Sequence, residues 1–202
     1  GVERYLVDAG GLTGIQILPD DELEIINNEG NQICEISVFN KDGKSELSIL
    51  GLKEIKENSE IKKILLKKNE TSLQALHQLK KRNLNIEKSK SSLIFDKETR
   101  AGESVKLKSK DKCYCIFAAP GKEMMVHEQN PSTELCVMVK RSVIKEDKEF
   151  SIIPDPVYDP SNEINIAKTT ANSYQVKEGD YIQVITPTGR QCSDFVAYDT
   201  SK

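Results

Sequence analysis

The chain is short of the patterns that most functional classes require. Among 202 residues there are only two histidines, His77 and His127, and neither belongs to an HxH or HExxH, so a histidine-rich zinc site has no basis. Five cysteines form an odd set without a paired CxxC; reduced thiols are expected rather than a disulfide framework or a paired zinc site. Charge of one sign is lacking too. Lys and Arg number 29 against 32 Asp and Glu, a formal net charge of -3, which gives no general attraction to nucleic acid or an anionic membrane. The basic residues that bunch in KEIKENSEIKKILLKKN alternate with acids, as on the wet side of a helix. No apolar run approaches the roughly 20 residues of a membrane helix, and the opening GVERYLV lacks the basic-then-apolar order of a secretory signal. A cytoplasmic home, with neither nucleic acid nor membrane as partner, is therefore expected. The first residue is Gly rather than Met, which suggests excision from something longer.

What the chain does have is a repeat. Shifted by 159 positions, QILPDDELEIINNEGNQICEISVFN (residues 16–40) lies without a gap over QVKEGDYIQVITPTGRQCSDFVAYD (residues 175–199). Gln16, Asp21, Ile26, Gly30 and Gln32 meet Gln175, Asp180, Ile185, Gly189 and Gln191, and most other pairs are equivalent in character, such as Leu23 with Ile182 and Glu35 with Asp194. Identities, apolar rhythm, turn glycine and acid are preserved together. Each copy reads as a turn around the repeated Asp, a β-branched strand, a second turn at the glycine and an alternating strand, a meander of short strands. Alternation sets Cys34, Ile36 and Val38 against Ile33, Glu35, Ser37 and Phe39. The second copy stops within four residues of its matching strand. Since an isolated hairpin is marginal in water, its strands are expected either to pair with the first unit or to await a missing remainder.

Between the copies, residues 52–83 read as a helical insertion. Ile55, Ile61, Ile64 and Leu65 are mostly at helical spacing; Thr71 and Gln74 match a capping box, and Leu73, Leu76 and Leu79 form a narrow apolar stripe. Strands follow in SLIF, SVKLK, CYCIFAA and ELCVMVKRSV, separated by turn chemistry. The expected organisation is a first β-rich unit over 1–150, a proline-containing linker over 151–163, and the opening strands of a truncated second unit over 164–202. The fold class is α+β and β-rich, a sandwich or barrel-like sheet of short-strand meanders with two inserted helices.

Chemistry is thinly signalled. Cys113, Cys115 and Cys136 lie on apolar strands and read as core thiols, with no metal assigned. His77 lies beside a packed stripe, and His127 falls in a loop without a paired nucleophile or ligand. The glycines of AGGLTG lack the strand, helix and Lys-Ser/Thr pair of a phosphate loop. The better candidates are the repeated polar residues Gln32 and Glu35 and their counterparts Gln191 and Asp194, which either grip a ligand or tie down the turn backbone at Gly30 and Gly189. Retention of the acid in both copies favours the structural role. No catalytic residue is assigned.

The stretch YQVKEGDYIQVITPTGRQCSDFVAYD resembles the opening of the urea-carboxylase-associated protein family, whose pattern falls on Gly179, Ile182, Val184, Gly189, Gln191, Asp194 and Phe195. In the first copy Gly30, Gln32 and Glu35 fit, whereas Asp20 replaces the glycine and Ile36 the phenylalanine. TRAGESVKLKS, IFAAPGKEM and DPSNEINIAKTTANSYQVKEGDYIQV are similar to the front of long bacterial proteins that continue into a glycine-cleavage T-protein-like aminomethyltransferase domain. The resemblance implies a non-catalytic accessory region of a tetrahydrofolate-dependent one-carbon enzyme, with downstream domains of the same polypeptide and a small amine ligand as partners. No cofactor is implied within this segment; tetrahydrofolate is implied for the longer protein. The alternatives are part of a hydrolase or deiminase acting on urea-like or guanidine-like compounds, and a purely structural module.

Overall fold

A computed structural model describes residues 2–54, 56–57, 59–121, 131–142, 160–186 and 191–199, without the side chains of residues 56, 57, 59, 70 and 71. The chain divides into two compact units, Gly1–Ile144 and Lys145–Lys202.

The first unit is a two-sheet sandwich. Its strands are β1 (Val2–Val7), β2 (Leu12–Ile17), β3 (Glu22–Asn27), β4 (Cys34–Asn40), a two-residue β5 (Lys56–Glu57), β6 (Lys90–Phe95), β7 (Glu103–Lys108), β8 (Cys113–Ala118) and β9 (Leu135–Lys140). One sheet runs β1-β9-β3-β7 and the other β2-β8-β4-β6-β5, and every pairing is antiparallel. The expected β-rich sandwich with inserted helices is therefore present.

Its connectivity differs from the meander read in the sequence. β2, β3 and β4 do not pair with one another: β2 lies beside β8, β3 between β7 and β9, and β4 between β6 and β8. From β1 to β4 successive strands change sheet, so the residues that complete their ladders come from the later part of the unit. The alternation of apolar and polar residues gives the face a strand buries but not its neighbour, which is why the sequence pattern suited a hairpin equally well.

The core fills the space between the sheets. Ile15, Ile17, Leu23, Ile25, Ile36, Val38, Phe117, Val137 and Val139 belong to one buried cluster with Cys34, Cys113 and Cys115. A second cluster covers the outer face of the β2-β8-β4-β6-β5 sheet, where α1 (Ser59–Leu66) and α2 (Glu70–Lys81) bring Ile61, Ile64, Leu65 and Leu79 against Leu12, Phe39, Ile116 and Ala118. Strand β4 is buried along almost its whole length because it has the sandwich core on one side and the helical layer on the other. Six consecutive buried positions fit a strand covered on both faces, and they place Glu35, Ser37 and Phe39 beneath the helices.

Two details of the insertion depart from the sequence pattern. α2 is capped by Asn69, whose side chain accepts a hydrogen bond from the Ser72 amide at 2.9 Å, so Thr71 lies inside the helix rather than at its cap. The buried side of α2 carries Ser72 and Leu79 with Ala75 half-buried against them, whereas Leu73 is exposed and Leu76 at the margin of exposure. A small buried serine lets α2 approach more closely than a continuous leucine stripe would allow.

In the second unit no strand or helix forms among the described residues 160–186 and 191–199. This differs from the opening strands expected over 164–202. The topology of the first unit supplies the reason, since none of the strands in the repeated segment pairs within that segment. Residues 151–159 of the expected linker lie outside the described residues. Among the described residues no helix is long and apolar enough to cross a membrane.

Candidate functional site

The repeated polar residues of the first copy form three structural centres. At the first turn, the Leu18 amide donates to Asp21 Oδ2 at 2.9 Å and the Asp21 amide donates to the Leu18 carbonyl at 3.2 Å. The Asp21 carboxylate is fully buried and receives Arg141 Nη1 at 2.6 Å, the Ser142 amide at 2.9 Å and the Ser142 hydroxyl at 3.3 Å. Arg141 also donates to the Gln16 carbonyl at 2.9 Å and to Glu3 Oε2 at 2.7 Å. Tyr5 donates its hydroxyl to the same Glu3 oxygen at 2.7 Å. Burial pulls the Arg141 guanidinium down, but its bonds to Glu3 and Asp21 outweigh that and hold it above its ordinary value. The Tyr5 phenol is pushed up to about 12, first by burial and then by the Glu3 carboxylate it bonds.

At the second turn, Gly30 has φ +75°, and a Cβ there would stand 2.6 Å from the Ala101 amide nitrogen. Only glycine meets both demands without strain. Buried Gln32 then joins three pieces of chain. Its Nε2 donates to the Ile33 carbonyl at 2.9 Å and to the Pro120 carbonyl at 3.0 Å, while its Oε1 accepts from the Thr133 amide at 2.8 Å. Gln32 thus ties the end of the turn to the chain just after β8 and just before β9. The side chain of Asn27 completes the turn by donating to the Gln32 carbonyl at 2.8 Å.

Glu35 is fully buried beneath the helical layer, beside an irregularity in the β4–β6 register. Such an irregularity re-aims the local side chains. Its Oε1 accepts from the Ser91 hydroxyl at 2.7 Å and its Oε2 from the Glu60 amide in the first turn of α1 at 3.1 Å. A carboxylate at a helix N-terminus is favoured by the exposed amides and the helix dipole. The role differs from the turn-tying one read in the sequence: Gln32 and Gly30 organise the turn, and Glu35 fastens the inserted helix to the sheet. The bonds satisfy both carboxylate oxygens with protein donors, an arrangement suited to holding structure.

In the second copy, Gln191 Nε2 donates to the Cys192 carbonyl at 3.1 Å and Asp194 is exposed. The structure therefore brings Gln32 and Glu35 into the interior of the first unit and does not bring Gln191 and Asp194 into a buried cluster of their own. His127 lies outside the described residues.

Cys113 and Cys115 follow the core reading, whereas Cys136 is buried outside both core clusters. Cys34, Cys113, Cys115 and Cys136 are buried free thiols, and Cys192 is exposed. Cys113 and Cys115 face the sandwich core with sulfurs 3.7 Å apart, whereas Cys136 accepts from Arg4 Nε at 3.4 Å and donates to the Met138 sulfur at 3.6 Å. Burial holds Cys115 well above the usual thiol range, and its hydrogen bond to Cys113 makes Cys113 the more acidic of the pair. Among the described residues, no group of three or more His, Cys, Asp or Glu side chains is placed to hold a metal ion. An open groove of about 360 Å³ beside the end of α2 is lined by Leu76, Leu79, Leu84 and Ile86 with Lys80 and two asparagines. It has no acid to meet an amine.

Arg141 is the member of this scaffold that sequence reading missed. The available signal was an Arg-Ser pair just past the end of an apolar strand in a unit that also carries a repeated Asp in a tight turn.

No family model matches the chain. Over its whole length the chain is 34% identical to a trimethylamine-oxide aldolase of Ruegeria pomeroyi, and it spans 26% of that protein, about a quarter of its length.

Proposed function

We propose that this chain is a scaffold-forming, non-catalytic region of an enzyme that acts on a small methylated amine. The observation that carries the reading is the end-to-end 34% identity with the trimethylamine-oxide aldolase. The geometry of the conspicuous polar residues supports the non-catalytic part, because Asp21, Gln32 and Glu35 are buried and bonded to backbone amides, carbonyls and neighbouring side chains. The finer reading is a T-protein-like aminomethyltransferase with tetrahydrofolate as cofactor, and it concerns the longer polypeptide. A small-molecule site needs polar groups facing a pocket, whereas these three are turned to partners within the fold.

The test compares the 202-residue chain with the longer polypeptide on trimethylamine oxide. Carbon–nitrogen cleavage of that substrate by an aldolase releases its methyl carbon as formaldehyde, (CH3)3NO giving (CH3)2NH and HCHO. Formaldehyde from the longer polypeptide and none from the 202-residue chain is expected. Release by the short chain alone would refute the non-catalytic assignment, and turnover of urea-like or guanidine-like compounds instead would favour the hydrolase alternative. Binding of tetrahydrofolate by the longer polypeptide, followed by fluorescence, separates the finer reading from the coarser.

A further inference from the structure

The two copies of the repeat share their first turn at atomic detail. Asp20 has φ +65° and its counterpart Gly179 has φ +89°. The Lys177 amide donates to Asp180 Oδ2 at 2.8 Å and the Asp180 amide to the Lys177 carbonyl at 3.0 Å, reproducing the Leu18 and Asp21 pair of bonds. Gln191 likewise bonds the carbonyl of the next residue, as Gln32 does. The side chains those turns present are in opposite conditions. Ile17, Leu23, Ile25, Ile36 and Phe39 are buried to 2% exposure or less, whereas Val176, Ile182, Val184, Phe195 and Tyr198 are 42–85% exposed.

We propose that residues 175–199 are a docking surface for the later half of a second sandwich, supplied by the same polypeptide beyond Lys202, and that Asp180 receives an arginine from the strand that docks beside Tyr181–Thr186. In the first unit one of the two strands beside β3 is β9, which sets Val139 opposite Leu23 and Val137 opposite Ile25, and Arg141 follows it into Asp21. The docking strand accordingly runs antiparallel to Tyr181–Thr186, places apolar residues opposite Ile182 and Val184, and carries Arg just past its end. Main-chain hydrogen bonds supply the affinity, and the apolar pairs and the Asp–Arg pair fix the register. The partners of β2, β3 and β4 all lie later in the chain than the repeated segment, and at the same shift of 159 positions their equivalents fall beyond Lys202. The inference is independent of the substrate proposed above, because its test reads protection of backbone amides and not turnover.

The experiment is hydrogen exchange followed by mass spectrometry on the 202-residue chain and on the longer polypeptide. Amides of Tyr181–Thr186 and of Ser193–Asp199 should exchange at least about 100-fold more slowly in the longer polypeptide. Asp180→Asn should erase most of that protection there while Asp180→Glu retains part of it, and Asp180→Asn in the 202-residue chain should leave exchange everywhere unchanged. Equal exchange in the two wild-type proteins would overturn the proposal even if a variant failed to fold. Protection that appears in the 202-residue chain and grows with its concentration would also overturn it, since the occupant would then be a second copy.

Discussion

Residues 16–40 and residues 175–199 begin from the same turn chemistry and diverge beyond it. In both, an aspartate bonds the amide three residues back, the residue before it takes positive φ, and a glutamine bonds the carbonyl of its successor. In the first, strands run on from those turns into two sheets; in the second, no strand forms among the described residues. The turn bonds are local, each closing a loop of a few residues, so their entropic cost is small. The strands depend on partners from far along the chain and on burial worth roughly 1.5–3 kcal/mol for each large apolar side chain. Turn geometry in this protein is therefore a property of the segment, and sheet structure is a property of the whole unit.

The largest effect that could break this comparison is at the repeated aspartate. Asp21→Asn leaves Arg141 with Glu3 as its remaining carboxylate partner and should destabilise the first unit by about 3 kcal/mol, read as a lowered urea midpoint with unchanged slope. Asp180→Asn in the same chain should stay within about 0.5 kcal/mol. A similar loss at both positions would mean that Asp180 is already engaged as Asp21 is. Next in size is the acid of the alternating strand. Glu35→Gln weakens charge-assisted bonds to Ser91 and the Glu60 amide and should cost about 1.5–3 kcal/mol, with helical circular dichroism falling first, while Asp194→Asn should leave the melting curve in place.

Gln32→Ala should follow at about 1–3 kcal/mol, because the Thr133 amide and the Pro120 carbonyl lose their partner; Gln191→Ala is expected to be neutral by thermal melting. The smallest effect is a pH dependence confined to the first unit. The folded state holds the Tyr5 phenol at about 12 against about 10 when unfolded, so the protonated phenol is favoured by folding. Its contribution is complete below about pH 10 and is lost as pH rises towards about 12. Tyr5→Phe should therefore flatten the fall in melting temperature over that window relative to the wild type.

The contrast also shows which parts of the molecule could be read in advance. Strand positions from β6 to β9, the sandwich class and the pair of inserted helices were legible because apolar alternation, helical spacing and turn residues are local signals. The strand pairing was not. Alternation in CEISVFN fits a hairpin and a doubly covered central strand equally, and only the helical layer over Phe39 distinguishes them. The polar residues Gln32 and Glu35 stood out by repetition, and their structural bias followed from the same fact. Their partners did not stand out, since Ser91, Thr133 and the Glu60 amide lie 56, 101 and 25 residues away. Arg141 escaped notice for a related reason: its aspartate is 120 residues earlier, and nothing in the intervening sequence connects them.

Native-state hydrogen exchange within the 202-residue chain itself tests the divergence of the two copies most directly. Amides of Leu23–Ile26 in β3 should exchange only through opening of the first unit, and those of Ile182–Ile185 should exchange nearly as fast as in an unstructured peptide. Comparable protection of both segments in dilute solution would contradict the claim that the repeated motif forms sheet only with partners from the later half of its own unit.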